Sequence, residues 1–312
     1  MIQYLYLGRV DYAEALRLQE ELVALRQQGR IGNVLLLLEH PPVLTLGRNA
    51  KRSNILASDE MLASRGVTLH EINRGGDVTY HGPGQLIGYP IFDLRSLRNS
   101  GGARLGPVDF VRLMEEALIR LCGEFGVAAG RICGLTGVWC HLQWGSPLDE
   151  SRGRADESPT LEPSQRSSKG LPHAVERKIA AIGIHVARGV TSHGFAFNVT
   201  TDLDDFRLIN PCGITDRPVT SLAGEVSDPA ALPTLDALAH RAARQFGLVF
   251  GETIEMLESI AALRSGAQTA ADAAPESAAQ EYPAEDTPLQ VPPEIERLRQ
   301  LPRPVKDRSV LA

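Results

Sequence analysis

The sequence predicts an α+β fold, a mixed and largely antiparallel sheet with flanking helices. Strand-like segments come in groups with helical segments between the groups, so the regular βαβ alternation of a doubly wound parallel sheet is missing. Apolar residues make up 43% of the 312 residues, enough for a sizeable core. Residues 1–265 carry this pattern and read as globular, while 142–176 and 266–312 do not.

Ile2–Leu7 reads as a strand. Asp11 then caps a helix, with Glu14 three residues on in capping-box spacing and Ala15, Leu18, Leu22 and Leu25 as its apolar stripe. Asn33–His40 is a continuous apolar run of strand length, the pattern of a strand buried on both faces. Pro41–Pro42 interrupts it and Val43–Leu46 resumes in extended form. Val67–Ile72 and Leu86–Leu94 read as further strands with a glycine-dense loop between them. Pro107 opens a helix whose Phe110, Met114, Leu118, Leu121 and Phe125 share a face, and Gly126 ends it. Gly137–Cys140, Lys178–Ala187 and His193–Val199 read as strands, and Leu235, Leu238, Ala242 and Phe246 mark a late helix.

Residues 142–176 are rich in Ser, Pro, Gly and charge, and read as a disordered insert between two strands. Residues 266–312 are rich in Ala, Pro and Glu and read as a disordered tail, with one short helix near Pro293–Arg299.

The net charge of -6 argues against a dedicated nucleic-acid binder. The N-terminus has no signal-peptide pattern, and the longest apolar stretch, Val34–Leu38, is too short to span a bilayer. A cytoplasmic location is the expectation. Of the cysteines, none stands in a C-x-x-C pair, so neither a disulfide framework nor a zinc site is signalled. Cys122, Cys133 and Cys140 read as core or loop thiols.

Three segments carry chemistry. Arg74–Gln85, RGGDVTYHGPGQ, holds four glycines in twelve residues. Glycine lets the backbone approach a ligand closely, and clustered N–H groups suit a carbonyl oxygen or oxyanion. Phosphate-binding glycine signatures are absent. Lys178–Ala187, KIAAIGIHVA, followed by TSHGFAFNV, has small residues that leave room for a slim apolar ligand, although an ordinary hairpin is an equal reading. Lys178 is equally readable as a solvated strand end. Asn210–Ile214, NPCGI, presents Cys212 on a stiff, open turn. A lone cysteine is more often a buried small hydrophobe. Nucleophilic use requires a lowered pKa, for which Lys178 or His81 would serve.

Together these strings, with RGGDVTYHGPGQLIGYPIFDL at 74–94, KIAAIGIHVARGVTSHGFAFNV at 178–199 and DDFRLINPCGI at 204–214, resemble the octanoyltransferases of lipoate biosynthesis. The resemblance spans roughly residues 1–250. It implies the fold of the catalytic domains of biotin- and lipoate-protein ligases, so that 1–265 would be the catalytic domain. It implies transfer of octanoyl from octanoyl-acyl carrier protein to a lysine of lipoyl domains, those of 2-oxoacid dehydrogenases and the glycine cleavage H protein. No cofactor or metal is implied, and no nucleic-acid or membrane partner. By position, Cys212 matches the nucleophile and Lys178 the lysine that lowers its pKa. Arg74, Gly75, Gly76, Asp77, Val78, Thr79, Tyr80 and His81 match one part of the acyl pocket. Ala181, Ile182, Gly183, Gly194, Phe195 and Ala196 match the other. The insert between Trp139 and Lys178 and the tail depart from the family pattern. An ATP-dependent lipoate-protein ligase on the same fold, a cysteine hydrolase and a non-catalytic acyl-binding protein are the competing readings.

Overall fold

The computed structural model describes residues 1–98, 101–140, 176–210 and 217–265. All of them belong to one compact unit, residues 1–273. The expected insert up to residue 175, the tail with its short helix, and Cys212 lie outside the described residues.

Strand β1 (Ile2–Arg9) leads into helix α1 (Tyr12–Gln27), whose first turn is capped by Asp11, the side chain accepting from the N–H groups of Ala13 and Glu14. Strand β2 (Asn33–Glu39) is buried along its whole length. Its side chains alternate between two cores: Leu35 and Leu37 on one face, Val34, Leu36 and Leu38 on the other. That accounts for a continuous rather than alternating apolar run.

Next come β3 (Val43–Leu46), α2 (Asp59–Ser64) and β4 (Thr68–Glu71). The glycine-dense segment is not a loop throughout, because Val78–His81 forms strand β5. The order β4-β3-β5 makes a small sheet, with β4 parallel and β5 antiparallel to β3. Strand β6 (Gln85–Ile91) ends earlier than the sequence suggests, since Leu94–Ser96 turns into a single 3-10 turn. Helix α3 (Pro107–Gly123) starts with proline at its first position.

Strands β7 (Ala129–Ile132), β8 (Leu135–Cys140), β9 (Arg177–Ala187) and β10 (Val190–Asn198) follow, then the short α4 (Leu222–Glu225), α5 (Leu235–Phe250) and β11 (Ile254–Met256). The large sheet has the order β11-β1-β2-β6-β10-β9-β8-β7. β1 is parallel to both neighbours and every other pairing is antiparallel. The fold is therefore the mixed, largely antiparallel α+β arrangement.

One face of the large sheet packs on α3 and α5 through Phe110, Met114, Leu118, Leu238 and Phe246. The other face packs on α1 through Ala15 and Leu22. The small sheet has its own core of Leu44, Val78, Tyr80 and Phe206, with Leu62 from α2. Cys122 and Cys140 are buried core thiols and Cys133 is exposed. Among the described residues, no helix is long and apolar enough to cross a membrane.

Candidate functional site

One cavity opens where loop 74–77 and β5 of the small sheet meet β9 and β10 of the large one. Its empty volume is about 990 Å³ with the open mouth included, the upper end of the size range of small-molecule sites. Of the residues the sequence singles out, Arg74, Gly75, Gly76, Asp77, Val78, Thr79, His81, Lys178, Ala181, Ile182, Gly183, Gly194, Phe195 and Ala196 line it. Tyr80 does not. Its ring is buried in the small-sheet core, edge-on to Phe206 at 5.5 Å, and its hydroxyl donates to Asp205 Oδ2 at 2.7 Å. It backs a wall residue rather than forming wall.

The glycine density has a structural cause. Loop 74–77 lies across β9: the Gly75 N–H donates to the Ile184 carbonyl at 3.0 Å. A Cβ on Gly183 would stand 2.8 Å from the Gly75 carbonyl oxygen, so only glycine lets these two backbones touch. The same loop is stitched to the end of β3, with Gly47, Arg48 and Asn49 N–H groups donating to the carbonyls of Asp77, Arg74 and Gly76. This corrects part of the sequence reading. The Gly75 amide is committed to Ile184, and the Val78 amide to Asp77 Oδ1 at 2.7 Å, so neither serves an oxyanion.

Arg74 is 8% exposed. Its guanidinium donates to the Thr45 carbonyl and hydroxyl, each at 2.9 Å, and to the Gly75 carbonyl at 3.0 Å. This fixes a positive charge inside the wall. His81 and His193 line the cavity with Arg74, His40 lies 6.2 Å from His81 between ring centroids, and all three histidines are buried and held neutral. Burial pushes His40 down to about 4. Burial, His40 and Arg74 push His81 down to about 3 against the opposing bond from Gln85. Burial and Arg74 push His193 down to about 4.

The tautomer of His81 follows from a hydrogen-bonded chain. Asn198 Nδ2 donates to the Thr220 carbonyl at 2.9 Å, so its Oδ1 accepts from Gln85 Nε2 at 2.8 Å. Gln85 Oε1 must then accept from His81 Nδ1–H at 2.8 Å, leaving Nε2 as an acceptor. Tyr89 is likewise fixed, its hydroxyl donating to His40 Nε2 at 2.7 Å while His40 Nδ1–H donates to the Val10 carbonyl.

Lys178 is the second residue of β9 and lines the cavity, so it is not a solvated strand end. Its backbone N–H donates to Pro218 and its carbonyl accepts from Thr220 N–H, both at 2.9 Å. Its ammonium lies 5.0 Å from the centroid of the Trp139 ring, within cation–π range. Arg217 stands over the same ring and pairs with Glu176, a residue the sequence reading assigns to the insert.

Segment 211–216, with Cys212, lies outside the described residues; one of its flanks lines the cavity and the other is tied to a cavity residue through Asn54. On one side the Asn210 N–H donates to the Asn54 carbonyl at 2.7 Å, and Asn54 Nδ2 holds the cavity residue Asp77. On the other, Arg217 and Val219 line the cavity itself.

Gln85, Asn198, Trp139, Arg217, Tyr12 and Tyr89 also line the cavity and were not singled out in the sequence. Gln85 was inside the glycine motif and Trp139 inside a predicted strand, so position was available for these two but role was not. Among the described residues, no group of three or more His, Cys, Asp or Glu is arranged to hold a metal ion.

The family model "Lipoyl protein ligase A/B catalytic domain" matches residues 11–247. An octanoyltransferase of Acidobacterium capsulatum is 58% identical over 260 residues, 83% of this chain and 94% of its own. One from Koribacter versatilis is 50% identical over 260 residues, 83% of this chain and 88% of its own. Among solved structures, a bi-partite lipoate protein ligase of Thermoplasma acidophilum, described with its E2 lipoyl domain, superposes with a TM-score of 0.55. It has 16% identity and covers 87% of this chain and 92% of its own. A lipoate-protein ligase A bound with ATP gives 0.54 at 15% identity, covering 88% of this chain and 95% of its own. At such identities these two structures share the fold.

Proposed function

The chain belongs to the lipoyl protein ligase A/B catalytic domain family, and from that premise we propose that it is an acyltransferase moving octanoyl onto a lysine of a lipoyl domain through a thioester on Cys212. The observation that carries this reading is the meeting, in one cavity, of Lys178, of Arg217 and Val219 just after the segment holding Cys212, and of a wall of Ala180, Ala181, Ile182, Gly183 and Ala196. That wall is slim and apolar enough for an extended acyl chain, and the polar groups gather around it.

The steps are these. The Lys178 ammonium stabilises the Cys212 thiolate, because a nearby cation favours the charged form of a thiol. The thiolate attacks the carbonyl carbon of octanoyl-acyl carrier protein. The tetrahedral oxyanion collapses, the carrier thiolate leaves with the proton of the Lys178 ammonium, which becomes a neutral amine, and the octanoyl group stays on sulfur. With the Gly75 and Val78 amides committed elsewhere, Gly76 and Asp77 are the amide donors that the loop has to offer the oxyanion. The lysine of a lipoyl domain then loses a proton to Lys178 and attacks the thioester. An amide forms and the Cys212 thiolate is regenerated. Thioester to amide runs downhill, so no nucleotide is consumed. Donor and acceptors are the octanoyl-acyl carrier protein and the lipoyl domains of 2-oxoacid dehydrogenases and the glycine cleavage H protein, and the reaction belongs to the cytoplasm.

The ligase reading draws on the shared fold and on a family that is named for ligases, whereas the two relatives that match at 58% and 50% identity are octanoyltransferases. Turnover separates the two. The protein mixed with octanoyl-carrier protein and a lipoyl domain should yield octanoylated lipoyl domain without ATP. Product only from free octanoate plus ATP would contradict the transferase reading.

A further inference from the structure

The pairing of β8 with β9 shifts register between Val138 and Trp139, and Gly137 stands just before the shift with φ 127°. That backbone conformation belongs to glycine. Space requires glycine as well: a Cβ on Gly137 would lie 2.7 Å from Lys178 Cε and 2.6 Å from the Ala180 carbonyl oxygen. The stem of Lys178 therefore rests against the bare Cα of Gly137, with the Trp139 ring 5.0 Å from its Nζ.

The irregular stretch is anchored from α3. Gly137 N–H donates to Glu115 Oε1 at 3.0 Å, and Glu115 Oε2 accepts from Arg112 at 2.7 Å and Arg131 at 3.0 Å. Glu115 is fully buried. Trp139 is 1% exposed, and among the described residues its Nε1–H has no acceptor. A hydrogen bond of its own does not explain an indole at this place, since a buried N–H normally finds a partner. Its contribution is the ring face.

We propose that Trp139 is a positioning residue whose indole face, with Gly137 beside it, forms the slot that holds the Lys178 ammonium in the cavity wall and tunes its proton affinity. The consequence for Cys212 rests on the catalytic reading given above, whereas the slot stands without it. Arg217, 5.8 Å from the same ring, opposes the charge on Lys178, and Glu176 is paired with Arg217. Glu115 lies beyond Gly137, and Arg74, Asp77 and His81 line the same cavity. Against that background a ring face favours the ammonium form.

The chain has four lysines, Lys51, Lys169, Lys178 and Lys306, so 13C-labelled lysine gives a spectrum simple enough to follow each side chain. The Lys178 signal, assigned by its loss in Lys178→Arg, should be displaced by the ring current of Trp139. In Trp139→Leu the displacement should vanish and the pKa of Lys178 should fall by about 0.4–1.5 units, the span a cation–π contact supports. Trp139→Phe, which keeps a face and most of the packing, should lie between the two, and it carries the test if Trp139→Leu does not fold. Alkylation of Cys212 by iodoacetamide, read by peptide mass across pH, should shift its midpoint upward in the same order. An unchanged Lys178 signal and pKa in both variants would overturn the slot. A moved Lys178 pKa with an unmoved Cys212 midpoint would uphold the slot and overturn the action of Lys178 on Cys212.

Discussion

His81 and His193 line the cavity with the buried Arg74 guanidinium, His40 lies behind His81, and all three are held neutral well below the usual histidine value of 6.5. For a base, a folded pKa below the unfolded one means that the unfolded chain binds more protons in between. Stability is then fully present above about pH 6.5 and falls as the pH drops toward 4, at up to about 1.4 kcal/mol per pH unit for each histidine. Urea unfolding at pH 7.5, 6 and 5 should show that decline. The lowered carboxylates Glu21 and Glu116 start from 4.5 and act below that window, so a flat profile between pH 7 and 5 would contradict the buried neutral histidines. At this scale the sequence was informative where chemistry is local. RGGDVTYHGPGQ drew the eye to the cavity wall because glycine density is a local signal, although Val78–His81 inside it is a strand and not a loop. Tyr80 went astray because a strand alternates its faces, and the segment read as a loop. Gln85 and Asn198 were not readable as a pair, since what joins them is the antiparallel register of β6 and β10. Cys140 behaved as read: burial, with Glu225 adding, pushes its thiol up to about 12, which makes it inert.

At the scale of elements, the crossing of loop 74–77 over β9 is the feature on which the cavity depends. Gly183→Ala places a Cβ against the Gly75 carbonyl oxygen, with backbone on both sides of the contact. The loop must lift, and the expected cost is about 1–3 kcal/mol, as for other small-to-large changes in packed sites. Acyl loading should slow together with the loss of stability, whereas Gly32→Ala, where no atom lies within 4 Å, should leave loading unchanged. Normal loading in Gly183→Ala would show that the crossing does not shape the site. Long elements with strong periodicity were readable: α1, α3 and α5 from their apolar stripes, and β2 from its unbroken run. β5, β7 and β11 were not. β5 hides among glycines, β7 carries Gly130 in four residues, and β11 is three exposed residues paired with β1 and set against Gly247 of α5. Such strands owe their existence to a neighbouring edge rather than to their own composition.

At the scale of the whole molecule, Cys140 and Arg177 are register partners in β8 and β9, so the two ends of segment 141–175 leave the sheet side by side. A short hairpin turn closes such a pair. Replacing 141–175 with a four-residue turn, and keeping Glu176 for its bond to Arg217, should preserve cooperative unfolding. Stability should rise by up to about 2 kcal/mol from the shorter closure. Loss of cooperative unfolding would show that the segment belongs to the core. The order of the sheet, which sets β2 between β1 and β6 and brings β9 beside β10, was readable only as a class, because strand order depends on contacts far apart in sequence. The central claim is that Cys212 carries the acyl group, and intact mass measures it directly. After mixing with octanoyl-acyl carrier protein, the protein should gain one octanoyl group, mapped to Cys212, released by hydroxylamine and transferred when a lipoyl domain is added. Cys212→Ala should fold and gain nothing. Normal turnover by Cys212→Ala, or an octanoyl group mapped to any other residue, would contradict the account.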